Sequence, residues 1–416
     1  MDCVMVFHTM ADIEHHLNGL GLFHMDMALT RIIRVTEALG VRSVSCPVVQ
    51  VLGTNGKGST ATFLAHFFAA QGLAVGLYTS PHFCSPTERI KAPHVEANDW
   101  VVAANAIAQV SLDLTYFEFL TVLAMVVFTK RCVDVIVLEA GLGGAHDATT
   151  AIRRSYCALG PIALDHTNVL GAALRAIAED KVMAIEPGMH VASVQQYPVV
   201  REVLFARIRQ TRASLTMAAS LPACYRHAVR LLGAHQYSNA GLAFSLWQTI
   251  SRDHGFPMEE AGIEEALSKA NLPGRLQCIP AGDHYPKLCV DGAHNPHAMQ
   301  TMLSSLKALA LQPRALVFSA LADKDWRSVV RILKQGFPDL PAYFPQMSNA
   351  RAENANVLAQ AWYGETLPPS CARLLGKPVG ALLEELKPAV GDGFVLVTGS
   401  LYLLAELFTV VPMQDS

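Results

Sequence analysis

The sequence predicts an α/β protein whose parallel sheets are covered by helices. Three observations carry that expectation. Apolar strand-like runs alternate with amphipathic helix-like stretches over most of the 416 residues, as strand–helix–strand units do. A β-branched run leads through a glycine-rich turn into a helix-prone stretch at Val48–Thr60. Near residues 279–287 the run Ile-Pro-Ala-Gly-Asp-His-Tyr-Pro-Lys breaks the apolar pattern. It leaves about 280 residues before it and about 130 after, each a workable domain size.

The strand-like runs are Val48–Leu52, Ala74–Tyr78, Val133–Leu138, His190–Val194, Leu288–Val290, Ala315–Ser319 and Phe394–Thr398. The helix-like stretches between them include Thr60–Gln71, Leu174–Glu186, Gln236–Ile250 and Pro296–Leu309. Asn295 suits an N-cap, with Pro296 at the first helical position. A second breaker-rich stretch, Leu367–Pro378, reads as a surface loop. There is no internal repeat.

Composition excludes several classes. Hydrophobic residues make up 51%, enough for full-sized cores, and 32 basic against 35 acidic residues leave a net charge of −3. That balance offers no footprint for nucleic acid or an anionic membrane. The longest strongly apolar run, around Leu120–Phe128, is about half of what a spanning helix needs. The nine cysteines contain no Cys-x-x-Cys pair, so neither a zinc motif nor a disulfide framework is expected. The first basic residue is Arg31, unlike the charged start of a secretory signal. The expectation is a monomer in the cytoplasm with reduced thiols.

The strongest local signal is Val48-Val-Gln-Val-Leu-Gly-Thr-Asn-Gly-Lys-Gly-Ser-Thr60. Glycines let backbone approach phosphates, and the following helix N-terminus adds positive potential. Lys57 would reach terminal phosphates, and Ser59 or Thr60 would face magnesium. The spacing departs from the common phosphate loop: two residues separate Gly53 from Gly56, and Gly58 stands between Lys57 and Ser59. On its own this segment says nucleotide phosphate and names no reaction.

The variant Gly53-Thr-Asn-Gly-Lys-Gly-Ser59 resembles the loop of the dihydrofolate synthase/folylpolyglutamate synthase family, within the Mur-ligase-like superfamily. Further segments match in the same order: Thr79-Ser-Pro-His82, Glu88-Arg-Ile90, Thr115-Tyr-Phe-Glu118, Glu139-Ala-Gly-Leu-Gly-Gly144, Asp147-Ala-Thr149 and Leu164-Asp-His-Thr167. His235-Gln-x-x-Asn-Ala240, Pro273-Gly-Arg275, Asp291-Gly-Ala-His-Asn-Pro296, Asp323-Lys-Asp325 and Thr398-Gly-Ser-Leu-Tyr402 follow. The resemblance implies a P-loop ATPase domain with a parallel sheet, at 1–282, and a smaller Rossmann-like α/β glutamate-ligase domain, at 283–416. It implies an ATP-dependent ligase that adds L-glutamate to dihydropteroate, to the glutamyl tail of tetrahydrofolate, or to both, through an acyl phosphate.

The same resemblance distributes roles. Gly53, Thr54, Asn55, Gly56, Lys57, Gly58, Ser59 and Thr60 would hold ATP, with Asn239, Arg275, Asp291 and His294. Ser80, Glu139 and His166 would hold magnesium, and Lys181, as a carbamate, a second magnesium. Lys57, His166 and Lys181 form the catalytic set. Glu139 follows an apolar run, so it would stand at the carboxyl end of a parallel strand, where ligands collect. Lys181 alternatively reads as a solvated lysine on an amphipathic helix. Thr115, Phe117, Asp147 and Ala148 would meet the folate. Phe117 suits stacking on a pterin and equally suits a core.

Two loops depart from the family. Its usual Gly-Gly-Arg-Leu-Asp-Ala-Thr-Asn reads Gly143-Gly-Ala-His-Asp-Ala-Thr-Thr150, and Phe83-Cys-Ser-Pro-Thr-Glu-Arg89 is shorter and less basic. A Mur peptidoglycan ligase would carry a UDP-binding domain before its phosphate loop, and 52 residues precede Gly53, fewer than a usual ~100-residue domain. Polyglutamylation alone, and a nucleotide-binding paralogue without ligase activity, are the other readings.

Overall fold

The computed structural model describes residues 5–21, 28–165 and 173–413. The first sheet has seven strands: β1 (Val48–Leu52), β2 (Val75–Tyr78), β3 (Ile90–Lys91), β4 (Val135–Glu139), β5 (Tyr156–Leu159), β6 (His190–Ser193) and β7 (Ser214–Met217). Their spatial order is β3-β2-β4-β1-β5-β6-β7, parallel throughout except for β3. Buried on both faces, β1 and β4 read as continuous apolar runs rather than alternating ones. Helix Lys57–Ala69 packs over one face with helix Ala234–His254, where Phe67 stacks on Trp247 at 5.6 Å. Helix Tyr116–Lys130 covers the other face.

The second sheet has five strands: β8 (Gln277–Ile279), β9 (Lys287–Asp291), β10 (Ala315–Phe318), β11 (Ala342–Tyr343) and β12 (Phe394–Thr398), in the order β11-β10-β12-β9-β8. All pairs are parallel except β8 with β9. The breaker-rich run at 279–287 is therefore the loop of the β8–β9 hairpin, and the division expected at 282/283 cuts through it. Turn formers mark hairpins and linkers alike.

The longer parallel strands match the expected runs within a residue or two. The strands not expected are β3, β5, β7, β8 and β11. β3, β7, β8 and β11 lie at sheet edges, where a strand needs little apolar content. β1 sits at the centre, and the chain turns to opposite sides of it on reaching β4 and β5. That switch point puts the carboxyl ends of β1, β4 and β5 around one crevice.

Candidate active site

The loop after β1 is held from behind. Gly53 has φ +142°, and a Cβ there would lie 3.2 Å from the backbone of Gly160. The Thr54 N–H donates to Pro161 O at 2.8 Å, and the Asn55 N–H to the same oxygen at 3.5 Å. Thr54 Oγ1 lies 3.0 Å from both Ala163 N and Ala163 O. Those bonds spend the donors of Thr54 and Asn55 on the segment after β5. The donors left for a ligand are at the N-terminus of helix Lys57–Ala69, whose first N–H groups have no intrahelical acceptor. Ser59 and Thr60 are buried there, and Thr60 Oγ1 has no hydrogen-bond partner among the described residues. Lys57 Nζ lies 3.3 Å from Thr54 O, folded back over its own loop.

Glu139 is the last residue of β4 and is buried. The Ser80 N–H donates to its Oε2 at 2.9 Å, and a Cβ on Gly58 would come within 3.4 Å of the same oxygen. Burial pushes its carboxyl above the usual range, while Lys57, the Ser80 N–H, Arg275 and Arg89 pull it back. A buried carboxylate packed against Gly58, the residue before the hydroxyls of Ser59 and Thr60, offers hard oxygen ligands. It fits magnesium, which takes one or two carboxylates and completes its shell with water and phosphate oxygens. Among the described residues no three His, Cys, Asp or Glu side chains cluster as a ready-made metal cage. His166, expected beside Glu139, lies outside the described residues.

Lys181 lies on helix Leu174–Met183 and is buried, so the solvated alternative does not hold. Gly144 packs against its backbone so closely that a Cβ there would sit 2.5 Å from Lys181 Cα. Its Nζ lies 3.4 Å from Gly143 O. Burial pulls the amine down to about 7, with Lys57 adding to the effect and Asp180, Asp147 and Asp165 opposing it.

The residues expected on the folate side share one wall. Thr115 caps helix Tyr116–Lys130: its Oγ1 accepts from the Glu118 N–H at 3.3 Å, and Glu118 Oε2 accepts from the Thr115 N–H at 2.8 Å. Phe117 leans over Gly141, where a Cβ would meet its ring at 2.8 Å, and lies 5.6 Å from the Tyr78 ring. Asp147 is buried and already engaged. Its Oδ2 accepts from the Leu142 N–H at 2.9 Å, and its Oδ1 from the Thr149 N–H at 2.9 Å and Thr149 Oγ1 at 2.5 Å. Ala148 opens the short turn that follows and is also buried. In place of the family's asparagine, Thr150 Oγ1 donates to Gly144 O at 2.7 Å. Arg154, fully buried, donates to Thr150 O, to Ile152 O at 2.7 Å and to Ala184 O at 2.9 Å. It ties the Asp147 turn to the end of the Lys181 helix.

The second sheet brings its own group to the same crevice. Asp291, the last residue of β9, accepts from the Leu276 N–H at 2.9 Å and the Ala293 N–H at 2.8 Å. Burial raises its carboxyl and Arg275 opposes the rise. Asn239, on the first domain's long helix, donates to Gln236 Oε1 at 2.9 Å and presses on Gly56. His294 Nδ1 lies 2.8 Å from Gly292 O, which assigns its proton to that nitrogen, and its Nε2 lies 3.5 Å from Asp165.

Four residues given no ligand-binding role from sequence join the two domains. Asn295 Nδ2 donates to Asn55 Oδ1 at 3.0 Å and to Asp165 Oδ2 at 3.1 Å, while Asn55 Nδ2 lies 3.0 Å from His297 Nδ1. Lys324 Nζ meets Asp165 Oδ1 at 2.6 Å. Asp165, Asn295 and Lys324 all stood inside matched segments, and only His297 lacked that signal.

A family model described as Mur ligase, glutamate ligase domain, matches residues 274–401, the span of the second sheet. A folylpolyglutamate synthase of Lacticaseibacillus casei is 31% identical over 410 residues, covering 91% of this chain and 92% of its own. A dihydrofolate synthase/folylpolyglutamate synthase of Escherichia coli is 28% identical, covering 96% of this chain and 95% of its own. The solved structure of Mycobacterium tuberculosis folylpolyglutamate synthase complexed with ADP superposes with a TM-score of 0.83 at 27% identity, over 98% of this chain and 99% of that one. Both sheets, their order and the crevice between them fall within these matches, and the chain belongs to the folylpolyglutamate synthase family of Mur-type ligases.

Proposed function

We propose that this chain spends ATP to join the amine of L-glutamate to the carboxylate of dihydropteroate, to the glutamyl tail of tetrahydrofolate, or to both. The observation that carries the reading is the convergence of Lys57, Glu139 and Lys181 from one domain with Arg275, Asp291 and His294 from the other. The names of the relatives, which include both synthase activities, and the ADP bound to the mycobacterial structure support it. The working division of the chain falls just before β8, near Pro273-Gly274, where the family match also begins.

The chemistry brings an anionic carboxylate to an anionic triphosphate, so charge neutralisation and alignment dominate. The N–H groups of Lys57, Gly58 and Ser59 hold phosphate oxygens, and Lys57 swings from Thr54 O to the terminal phosphate. An acceptor carboxylate oxygen attacks the γ-phosphorus. The bond to the β–γ bridging oxygen breaks, and ADP leaves with that electron pair. The glutamate amine then attacks the acyl carbon, and the tetrahedral intermediate expels phosphate as the amine loses its proton to solvent. Asn239, Arg275, Asp291 and His294 hold the nucleotide against the second domain.

Glu139, Ser80 and Ser59 or Thr60 would hold magnesium, with His166 beside them, and the ion would screen the phosphate oxygens from the attacking carboxylate. Lys181, whose proton affinity burial lowers to about 7, would add to carbon dioxide through the lone pair of its deprotonated form. The resulting carbamate would give oxygen ligands to a second magnesium. Thr115, Phe117, Asp147 and Ala148 form the pterin wall. Asp147 shapes that wall through its loop: its carboxylate accepts from the Leu142, Thr149 and Gly141 N–H groups and from Thr149 Oγ1.

The chain is also read as a cytoplasmic monomer. The cysteines among the described residues are free thiols. No helix among those residues is long and apolar enough to cross a membrane. The deciding experiment is ADP release dependent on magnesium and glutamate, with dihydropteroate or tetrahydrofolate as acceptor. Turnover with both establishes the two activities, and turnover with tetrahydrofolate alone narrows the enzyme to polyglutamylation. A folded protein that binds ATP and turns over neither acceptor overturns the reading.

A further inference from the structure

Arg89 is a buried cation with no carboxylate ion pair among the described residues. It closes the short helix Pro86–Arg89 and is 4% exposed. Among the described residues its guanidinium forms no ion pair. Its one side-chain hydrogen bond runs from Nε to His82 Nδ1 at 2.8 Å. His82 Nδ1, as the acceptor of that bond, fixes the orientation of the guanidinium. The guanidinium carbon sits 5.5 Å from the centroid of the Tyr116 ring. Neighbouring Glu88, which would be the obvious partner, is turned away: it accepts from the N–H groups of Phe83, Cys84 and Ser85 at 2.7–2.8 Å.

The surroundings fix what this cation faces. The Arg89 carbonyl accepts from the Thr79 N–H at 2.9 Å, next to Ser80, whose own N–H holds Glu139. On the same segment, the Phe83 ring meets Phe408 of the second domain edge-on, with centroids 5.0 Å apart. Arg89 therefore lies between the pterin wall at Thr115–Phe117 and the phosphate end at Glu139, at the domain crevice. A buried guanidinium without a counter-ion is costly. Its fork of donors matches a carboxylate in two parallel hydrogen bonds, which a lysine cannot reproduce. Nε is committed to His82, which leaves the two terminal nitrogens to present that fork.

We propose that Arg89 is the carboxylate anchor of the acceptor subsite, gripping the carboxylate of the pterin-bearing substrate between Tyr116 and Glu139, with His82 orienting the guanidinium. The inference rests on the functional reading above and adds the residue that selects an acid at this position. A carboxylate can also come from the incoming glutamate, so the test separates the two sources.

The test uses the full-length protein and the variants Arg89→Gln, Arg89→Lys and His82→Phe. Equilibrium binding, followed by pterin fluorescence, compares dihydropteroate with the same pterin-aniline lacking the carboxyl group. Wild type should prefer the acid, and Arg89→Gln should lose about 10–100-fold in affinity for it, with the decarboxylated compound and ADP unaffected. Arg89→Lys should recover only part of the loss, and His82→Phe should fall between, through a misaligned fork. In turnover, the acceptor KM should rise in Arg89→Gln while the glutamate KM stays put. A selective rise in the glutamate KM would assign the cation to the other carboxylate and overturn the proposal. So would acid binding by a folded Arg89→Gln that equals wild type. If wild type itself turns over no pterin acceptor, it is the functional reading that fails, and the two failures are distinct.

Discussion

A Cβ on Gly56 would lie 2.4 Å from Asn239 Oδ1. The phosphate loop and the long helix of the first domain thus meet with no room for a side chain. Gly56 also has φ +77°, a conformation that costs an L-residue about 1–2 kcal/mol. Two independent reasons therefore require glycine at the helix cap.

Gly56→Ala should raise the KM for ATP at least tenfold, measured by initial rates, with a fall in Tm of several degrees. Adding Asn239→Ala removes the collision and leaves the backbone strain. Tm should then recover in part while ATP affinity stays poor, since Asn239 is itself proposed to touch the nucleotide. Full recovery of ATP affinity in the double variant would remove Asn239 from the nucleotide site.

Lys57→Ala should abolish turnover with little change in thermal stability. Its Nζ makes one 3.3 Å contact to Thr54 O and no buried ion pair among the described residues. Loss of a charge that neutralises a transferring phosphoryl group costs about 10²–10³ or more in kcat. Glu139→Gln should raise the magnesium concentration needed for half-maximal rate and lower the rate by orders of magnitude. The amide keeps an acceptor for the Ser80 N–H, so the fold should hold. Near wild-type turnover by Lys57→Ala would remove Lys57 from the catalytic set, and near wild-type turnover by Glu139→Gln would remove Glu139 from the magnesium site.

How much of this was legible in the residues differs between chemistry and assembly. The loop from Gly53 to Thr60 and the strand ending at Glu139 were readable because buried parallel strands are apolar without interruption. Glycines and polar groups then stand out at their carboxyl ends. The burial of Lys181 was not readable, because a lysine on an amphipathic helix carries no mark of what covers it. Gly143 and Gly144 cover it, from a loop almost 40 residues earlier in the chain. The Asp165–Lys324 contact spans 159 residues, and a single chain's pattern has no period that connects such positions. Composition placed the domain division in the β8–β9 hairpin because a tight turn and a linker draw on the same residues.

Lys181 gives a pH-dependent prediction. The folded chain carries this amine neutral above about pH 7, against an ordinary value of 10.5. The unfolded chain keeps it charged across that window, so folding releases a proton there. Stability should rise with pH between about 7 and 10.5 through this group, and fall as pH drops toward 7. Lys181→Met replaces the amine with an apolar chain of similar length. In buffer free of carbon dioxide it should gain stability at pH 7 by about 1–3 kcal/mol in urea unfolding. That gain should shrink toward pH 10, while ligase activity is lost. A Lys181→Met protein less stable than wild type at pH 7, with the same pH slope, would mean the amine is charged and partnered in the fold.

The interdomain pair is tested by a double-mutant cycle. Lys324 Nζ and Asp165 Oδ1 are 2.6 Å apart, and both side chains are at least nine-tenths buried. Burial lowers the lysine's proton affinity and Asp165 opposes that shift. Lys324→Met takes from Asp165 the ammonium that pairs with it, and removing one partner of a buried pair costs about 3–5 kcal/mol. Asp165→Asn alone should cost a similar amount, because it removes the carboxylate that offsets the burial of the lysine. The double variant should cost clearly less than the sum, with a coupling of about 1–3 kcal/mol in urea unfolding. Because the pair joins the domains, each single variant should also split one unfolding transition into two in calorimetry, as the second domain melts apart from the first. Additive costs with a single transition would mean that the domains are held by the Asn55–Asn295 contact instead.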